Sequence, residues 1–158
     1  MAVQKPLAAA QRTPLKTPQP TDLACESLQE IHRQLLQLAK LGGGSGGVTA
    51  ALLQAAVDDC ADAVIVTDQR ARIVMVNGAA ARLVGMSTRE LQKLTLWDIT
   101  DTTFQADFDI LWKEFLRAGR QRGEYAVRHS DGNVVEVAYC AEVNILPDKN
   151  ISIFRRLR

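Results

Sequence analysis

Aromatic residues and cysteines are both scarce in this chain of 158 residues, in which aromatic side chains make up 5% and cysteines number three. Cys25, Cys60 and Cys140 are odd in number and widely spaced, which fits neither a disulfide framework nor a paired zinc motif. We therefore expect reduced thiols and no metal site. No apolar run approaches the ~18–20 residues that a membrane-spanning helix needs, and the N-terminus lacks the apolar core of a secretory signal. These absences predict a cytoplasmic protein with no membrane partner.

The chain also lacks an excess of charge of either sign, with 19 Lys and Arg against 18 Asp and Glu. No global field therefore draws it towards nucleic acid. Its two basic clusters, residues 117–122 and 155–158, close a helical pattern and the chain itself, where solvated cations are ordinary. We expect no nucleic-acid partner.

Catalytic motifs are missing as well. The glycine-rich segment 42–47 has no Lys-Ser/Thr pair of a phosphate-binding loop and follows a helical pattern rather than a strand. Asp58, Asp59 and Asp62 do not have the spacing of a calcium loop. No Ser, His and Asp set occurs in a recognisable motif. The sequence predicts a protein that is not an enzyme, with no catalytic residues.

The first 47 residues differ in composition from the rest. Residues 1–21 contain four of the five prolines and little to bury, which predicts a disordered tail. Residues 22–41 carry an apolar stripe at spacings of three and four, which predicts an amphipathic helix; the stripe consists of Leu28, Ile31, Leu35 and Leu38. Residues 42–47 form a glycine-rich linker, and composition does not separate a natural hinge from an engineered joint.

Such a helix needs a partner for its stripe, because a helix of this length is marginal alone in water. The stripe must pack on its own domain, on the same helix of a second subunit, or on another protein. A stripe held away from a domain by a flexible linker favours self-association over docking on that domain. We therefore expect a homodimer, with a signalling partner as the other possible occupant of the helix.

The segment from Ala63 to Gly85, AVIVTDQRARIVMVNGAAARLVG, encodes two strands, a turn and the start of a helix. Asn77 closes the second strand, and we expect its side chain to hydrogen-bond the backbone where the helix begins. Residues 87–90 form a capping box, and residues 107–118 an amphipathic helix. Three further strands follow at 122–127, 134–145 and 151–155. The Asp131-Gly132 pair predicts a hairpin turn with a positive φ at Gly132.

This order of elements resembles a PAS domain, the small sensory α+β module of bacterial signalling proteins, over residues 48–158. The resemblance implies a five-stranded antiparallel sheet with helices on one face, preceded here by the N-terminal amphipathic helix. It also implies a ligand pocket between the sheet and those helices. On the first strand we place Ile65 and Thr67 inward, because the threonine-type position faces the ligand in that family. The other pocket candidates are Met75, Trp97, Ile99, Phe108, Leu111, Tyr125, Val127, Tyr139 and Ile153.

The same large residues would equally fill the core and leave no cavity, because a small domain needs nearly all its apolar residues for stability. A photoactive flavin PAS domain would need a reactive cysteine near residues 96–100, where none occurs. A haem PAS domain would place a histidine on the helix within 103–120, whereas the two histidines are His32 and His129. Both cofactors are disfavoured, and the identity of any ligand stays open.

Two functions remain open. The first is a sensory or regulatory module, of the kind used in two-component signalling, that binds a small ligand or a protein and signals through dimerisation or N-terminal helix packing. The second is a ligand-free adaptor for dimerisation or protein interaction whose N-terminal helix is the working element. Arg156 stands where the family's exit signature has Asp, so we expect either a fragment of a larger protein or an output through the N-terminal segment.

Overall fold

One antiparallel sheet separates two layers of helices. The structure is a computed structural model that describes residues 19–41 and 49–157. Two helices come first, α1 (Pro20–Leu41) and α2 (Ala50–Asp59), followed by the strands β1 (Ala63–Thr67) and β2 (Ile73–Val76). The middle of the chain holds α3 (Gly78–Val84), α4 (Thr88–Leu91), a 3₁₀ helix (Leu96–Ile99), α5 (Thr102–Gln105) and α6 (Phe108–Ala118). The strands β3 (Arg120–Arg128), β4 (Val134–Leu146) and β5 (Lys149–Arg156) complete the sheet.

The sheet has the order β2-β1-β5-β4-β3, and every neighbouring pair is antiparallel. The first and last strands of the domain therefore lie side by side at its centre. The β3–β4 hairpin pairs Arg120 with Glu142 at one end and Arg128 with Val134 at the other. The predicted five-stranded antiparallel α+β fold is confirmed.

Side chains alternate between the two faces of each strand. We call the face towards α3–α6 the inner face and the face towards α1 the outer face. The inner face packs with the short helices around Ile65, Ile99, Val127 and Phe154. This layer begins with well-capped helices: Ser87 and Glu90 form the predicted capping box, and Thr95 and Asp98 form a second one.

Helix α1 covers the outer face. Leu28, Ile31 and Leu35 of its stripe are 0%, 1% and 4% exposed. They pack in one apolar cluster with α2 and with the outer-face residues Val64, Val66, Cys140, Ile151 and Ile153. Leu38, at the end of the stripe, is half-buried.

The expectation that this stripe is held away from its domain is therefore wrong. The outer face of the sheet is itself apolar and must be covered, and α1 is the element that covers it. In the structure the stripe packs on the chain's own sheet, which was the less favoured of the arrangements expected from the sequence. Homodimerisation stays a prediction, without the exposed stripe that motivated it.

Polar contacts border this helix–sheet interface. Arg122 donates to Asp22 at 2.6 Å, and His32 lies 3.1 Å from Glu142. Both pairs are partly exposed to solvent, so each contributes little to stability. Burial of the stripe contributes about 1.5–3 kcal/mol for each large apolar side chain. Apolar packing therefore provides most of the stability of the docked helix.

Helix α1 begins two residues before its predicted start at Asp22. Pro20 occupies the first turn, where the missing N–H of proline costs nothing, and the backbone N–H of Gln19 donates to the Asp22 carboxylate at 3.3 Å. The predicted tail, residues 1–21, lies outside the described residues except for its last three. The predicted linker, residues 42–47, lies outside them entirely. In the parts of the chain that are described, no helix has the length and apolar character needed to cross a membrane.

Candidate ligand-binding cavity

A cavity of about 170 Å³ lies between the inner face of the sheet and the helices α5 and α6. The strands β3, β4 and β5 form its floor, and the two helices with the 3₁₀ segment form its roof. Its lining consists of Leu96, Phe104, Phe108, Leu111, Trp112, Phe115, Gln121, Glu124, Tyr125, Tyr139, Ala141, Ser152 and Phe154.

The scarce aromatic residues are concentrated here. Seven of the eight aromatic side chains in the chain line this cavity, and the exception is Trp97, which is 45% exposed. Tyr125 is the hub of the rings, with centroids 4.8 Å from Phe104 and 5.8 Å from Tyr139. These separations are typical of favourable aromatic pairs, at about 4.5–7 Å.

Helix α6 supplies one aromatic wall because its sequence repeats aromatic residues at spacings of three and four. Phe108, Trp112 and Phe115 therefore share one helical face. The rings of Phe108 and Trp112 stack with an interplanar angle of 10° and a centroid distance of 5.9 Å. The indole N–H of Trp112 donates to the carbonyl oxygen of Gln69 at 3.0 Å, which fixes the orientation of the ring.

The phenol protons of both tyrosines are already engaged. Thr100 Oγ1 donates to the carbonyl oxygen of Leu96 at 2.7 Å and lies 2.7 Å from the Tyr125 hydroxyl. A hydroxyl has a single proton, so the Tyr125 hydroxyl must be the donor to Thr100. The Tyr139 hydroxyl donates to Gln121 Oε1 at 3.0 Å.

Burial moves both phenols further from ionisation. It raises the pKa of Tyr125 to about 12, although the hydrogen bond with Thr100 acts in the opposite direction. Burial also raises the pKa of Tyr139, and the neighbouring Cys140 adds to that effect. Neither ring carries charge at neutral pH.

Ser152 differs from the tyrosines. It lies on the inner face of β5, is 7% exposed and lines the cavity. Among the described residues, no group accepts from or donates to its hydroxyl. No fully buried side-chain nitrogen or oxygen atom of the described residues lacks a hydrogen-bond partner, so the unpartnered Ser152 hydroxyl is accessible from the cavity, where a ligand would meet it.

Glu124 is the one charged residue of the lining. It pairs with Ala138, whereas its neighbours on β3, Gly123 and Tyr125, pair with Tyr139 and Val137. Strand alternation therefore assigns the Glu124 side chain to the outer face. The inner-face side chains around the cavity are all uncharged.

Four of the sequence-predicted pocket residues lie at the cavity, namely Phe108, Leu111, Tyr125 and Tyr139. Three others, Ile65, Ile99 and Val127, belong to the packed inner core and do not border it. Thr67 is buried on β1 opposite Asn150, away from the lining. Trp97 is on the surface.

Two predicted pocket residues are on the wrong face. Met75 pairs with Val66, and Ile73 pairs with Thr67, so Val74 is an extra residue in a β-bulge. The bulge rotates Met75 to the outer face, where it packs in the cluster under α1. Ile153 is opposite Val64 and shares the outer face with it. The placement of both residues in the pocket is therefore wrong.

The sequence prediction also missed several lining residues. Trp112 and Phe115 lie on the same helical face as Phe108, and the helical period identifies them once Phe108 is chosen. Ser152 and Phe154 alternate with Ile153, so choosing the opposite phase for β5 would have found both. Phe104, in the short helix α5, has no comparable signal in the sequence.

Neither histidine is near the cavity. His32 pairs with Glu142 beside α1, and His129 lies 3.0 Å from Asp131 in the β3–β4 turn. Within residues 19–41 and 49–157, no three His, Cys, Asp or Glu side chains are grouped so as to hold a metal ion. The lining contains neither cysteine nor histidine.

Residues 51–119 match a family model described as PAS domain. Among proteins of known identity, sporulation kinase E of Bacillus subtilis is 26% identical over 98 residues, which are 62% of this chain. The chain spans 13% of the length of that kinase.

Solved structures of PAS domains share the fold. The PAS domain of an HTR-like protein from Haloarcula marismortui matches with a TM-score of 0.59 and 19% identity, covering 79% of this chain and 98% of that one. A domain of a sensory box sensor histidine kinase/response regulator from Geobacter sulfurreducens matches with a TM-score of 0.57 and 19% identity, covering 67% and 92%. The PAS domain of a LuxR-family transcriptional regulator from Burkholderia thailandensis, in complex with ethanol, matches with a TM-score of 0.55 and 10% identity, covering 65% and 95%.

Proposed function

Because this chain contains a PAS domain, we propose that it is the sensory module of a signalling protein of the sensor-kinase type, and that its aromatic cavity binds the small molecule it senses. The observation that carries the proposal is the concentration of seven of eight aromatic side chains around one cavity that also contains the unpartnered hydroxyl of Ser152. A chain that needed these rings only for its core would bury them fully, whereas Phe104, Trp112 and Tyr125 stay partly exposed around this space.

The two central strands offer a route from the cavity to α1. On β4, Tyr139 and Ala141 line the cavity, while Cys140 between them packs in the cluster under α1. On β5, Phe154 lines the cavity and Ile153 packs under α1. Alternate residues of the same strands therefore contact the ligand site and the N-terminal helix. We propose that occupancy of the cavity changes how firmly α1 is docked.

A polar connection supports the same route. Arg155 follows Phe154 on β5 and donates to both carboxylate oxygens of Asp62, at 2.9 and 3.0 Å. Ser27 of α1 donates to the same carboxylate at 2.6 Å. A displacement of β5 at Phe154 would move Arg155, and with it the carboxylate that Ser27 binds.

The competing function, a ligand-free adaptor with α1 as its working element, requires the stripe to leave the sheet before it meets a partner. Nothing in the described contacts favours that state over the docked one. Self-association remains a proposal on the same basis, with an undocked α1 or another surface as the contact.

The thiols under α1 test this route to the helix. Ala141→Leu adds atoms to the cavity and imitates occupancy, whereas Ala81→Leu adds the same atoms on α3 outside the cavity lining. Both are made in the full chain with Cys60→Ser, so that Cys25 and Cys140 are the thiols left to react with a maleimide, followed by mass spectrometry.

Coupling between two sites of a protein is usually about fivefold or more. We expect Ala141→Leu to change the labelling rates of Cys25 and Cys140 by about that factor, and Ala81→Leu to leave them at the wild-type value. Equal rates in all three proteins would overturn the proposed transmission to α1.

A further inference from the structure

We infer that the ligand of the cavity is a small, neutral, planar aromatic molecule with one hydrogen-bonding substituent. The inference rests on the proposed function, since it names the chemical class that the proposed sensing site accepts. Four properties of the site lead to it: volume, wall chemistry, an open hydroxyl group and the absence of charge.

Volume sets the size. A cavity of about 150 Å³ accommodates benzene, and this one measures about 170 Å³. It therefore holds one six-membered ring with a small substituent.

The walls favour an aromatic ring over an aliphatic one. Tyr125 lies at the centre of a group of rings, with centroids 4.8 Å from Phe104, 5.8 Å from Tyr139 and 6.4 Å from Phe154. A flat ring gains edge-to-face or offset contacts with such walls that a saturated ring does not. Shape and ring electrostatics thus select the same class of molecule.

The polar contacts offer the Ser152 hydroxyl as an anchor. The phenol protons of Tyr125 and Tyr139 are committed to Thr100 and Gln121. The Ser152 hydroxyl, 7% exposed and unpartnered within the described chain, both donates and accepts. One hydroxyl or amine on the ligand satisfies it.

Charge decides against ions. An anion would meet no positively charged side chain in the lining, and burying it unpaired is costly. A cation would be attracted by aromatic ring faces, which makes it the serious competitor. It too would lack a counter-ion. Strand alternation places the Glu124 side chain on the outer face of β3, and the nearby phenols are neutral, with pKa values raised further by burial.

Binding of four matched probes to the full chain tests the inference by titration calorimetry or ligand-observed NMR. Phenol is the neutral aromatic, cyclohexanol its saturated counterpart, benzylammonium the cation and benzoate the anion. We expect phenol to bind at least about tenfold more tightly than each of the other three, the difference that one lost interaction of ordinary strength produces.

The anchor is tested by Ser152→Ala with a second ligand as control. The variant should bind phenol about fivefold more weakly, the effect of one lost neutral hydrogen bond, and should bind toluene as the wild type does. Unchanged toluene binding also shows that the variant is folded. Equal losses for phenol and toluene would mean that Ser152 only shapes the cavity, which overturns the anchor.

The outcomes separate this inference from the proposed function. Binding of benzylammonium, benzoate or cyclohexanol as tight as that of phenol overturns the ligand class. If no probe binds but Ala141→Leu still alters the reactivity of Cys25 and Cys140, the inference fails and the sensory proposal stands. If no probe binds and the thiols do not respond, both fail.

Discussion

Replacing Asn77 by Ala should be among the most destabilising single changes in this domain. Asn77 lies between β2 and α3 and is 2% exposed. Its Oδ1 accepts the backbone N–H of Ala80, which caps α3, and the backbone N–H of Val64 on β1, both at 3.0 Å. The cap alone accounts for about 1 kcal/mol.

The amide nitrogen of Asn77 adds more. It donates to the carbonyl oxygens of Val57 at 3.0 Å, Cys60 at 3.3 Å and Asp62 at 2.9 Å. One side chain thus joins the end of α2, the loop before β1, β1 itself and α3. Its two N–H groups make about two full hydrogen bonds, each worth roughly 0.5–1.5 kcal/mol net.

Adding the cap, the bond to Val64 and these two bonds gives a loss of about 3–4 kcal/mol for Asn77→Ala. The free energy of unfolding of a domain is about 5–15 kcal/mol, so the variant should lose a large part of it. Urea titration followed by circular dichroism measures the change directly.

Asn77→Asp is the matched variant. Aspartate is as good an N-cap as asparagine, but it replaces the two N–H donors by an oxygen facing three backbone carbonyls. We expect it to be at least as destabilising as Asn77→Ala. Wild-type stability of Asn77→Asp, with a loss of only about 1 kcal/mol for Asn77→Ala, would show that Asn77 acts as a helix cap and nothing more.

Three further changes probe the turn, the docked helix and the cavity. Gly132 has φ +95°, and a Cβ added there would meet no atom within 4 Å. Gly132→Val should therefore lower the free energy of unfolding by about 1–2 kcal/mol through backbone strain alone. An unchanged urea midpoint would show that this position is not strained by the substitution. The double variant Ile31→Glu, Leu35→Glu should expose α1 to proteolysis without changing the molecular mass measured by light scattering. The control Leu36→Glu, at a position 64% exposed, should change neither the proteolysis rate nor the mass. If the double variant converts a dimer to a monomer, the stripe is a subunit contact. Folding raises the pKa of Tyr125 from 10.0 to about 12, so the unfolded chain releases this proton at a lower pH than the folded chain does. The stability that this shift contributes is therefore complete below pH 10 and is lost between pH 10 and about 12. Tyr125→Phe should flatten that part of the curve of stability against pH, and an unchanged curve would contradict the assignment.

Local signals in the sequence predicted most of the elements. Each of these signals depends on residues at most four positions apart. Examples are the capping box of Ser87 and Glu90, the turn at Gly132 and the successive apolar residues of the stripe from Leu28 to Leu35. Contacts of that range form within a single turn or helix, so the chain specifies them without reference to the rest of the fold. The order of these elements was then enough to identify the fold.

The faces of the strands were decided by long-range pairing. The sequence of a strand shows which residues share a face, but the pairing with neighbouring strands determines which of the two faces points towards the inner helices. The bulge at Val74 moved Met75 to the outer face, and the pairing of Ile153 with Val64 put both on that face. Neither the bulge nor the register has a signal within four residues.

The same distinction applies to α1 and to the cavity. An amphipathic stripe indicates that a helix packs against an apolar surface but does not indicate which one. In the folded chain that surface is the apolar outer face of its own sheet. The cavity joins Thr100 to Tyr125 and Tyr139 to Phe154, residues far apart in the chain. By itself, then, the sequence determined the elements and their order, because those depend on local contacts; the tertiary structure decided which surfaces meet, because that depends on how distant segments pack.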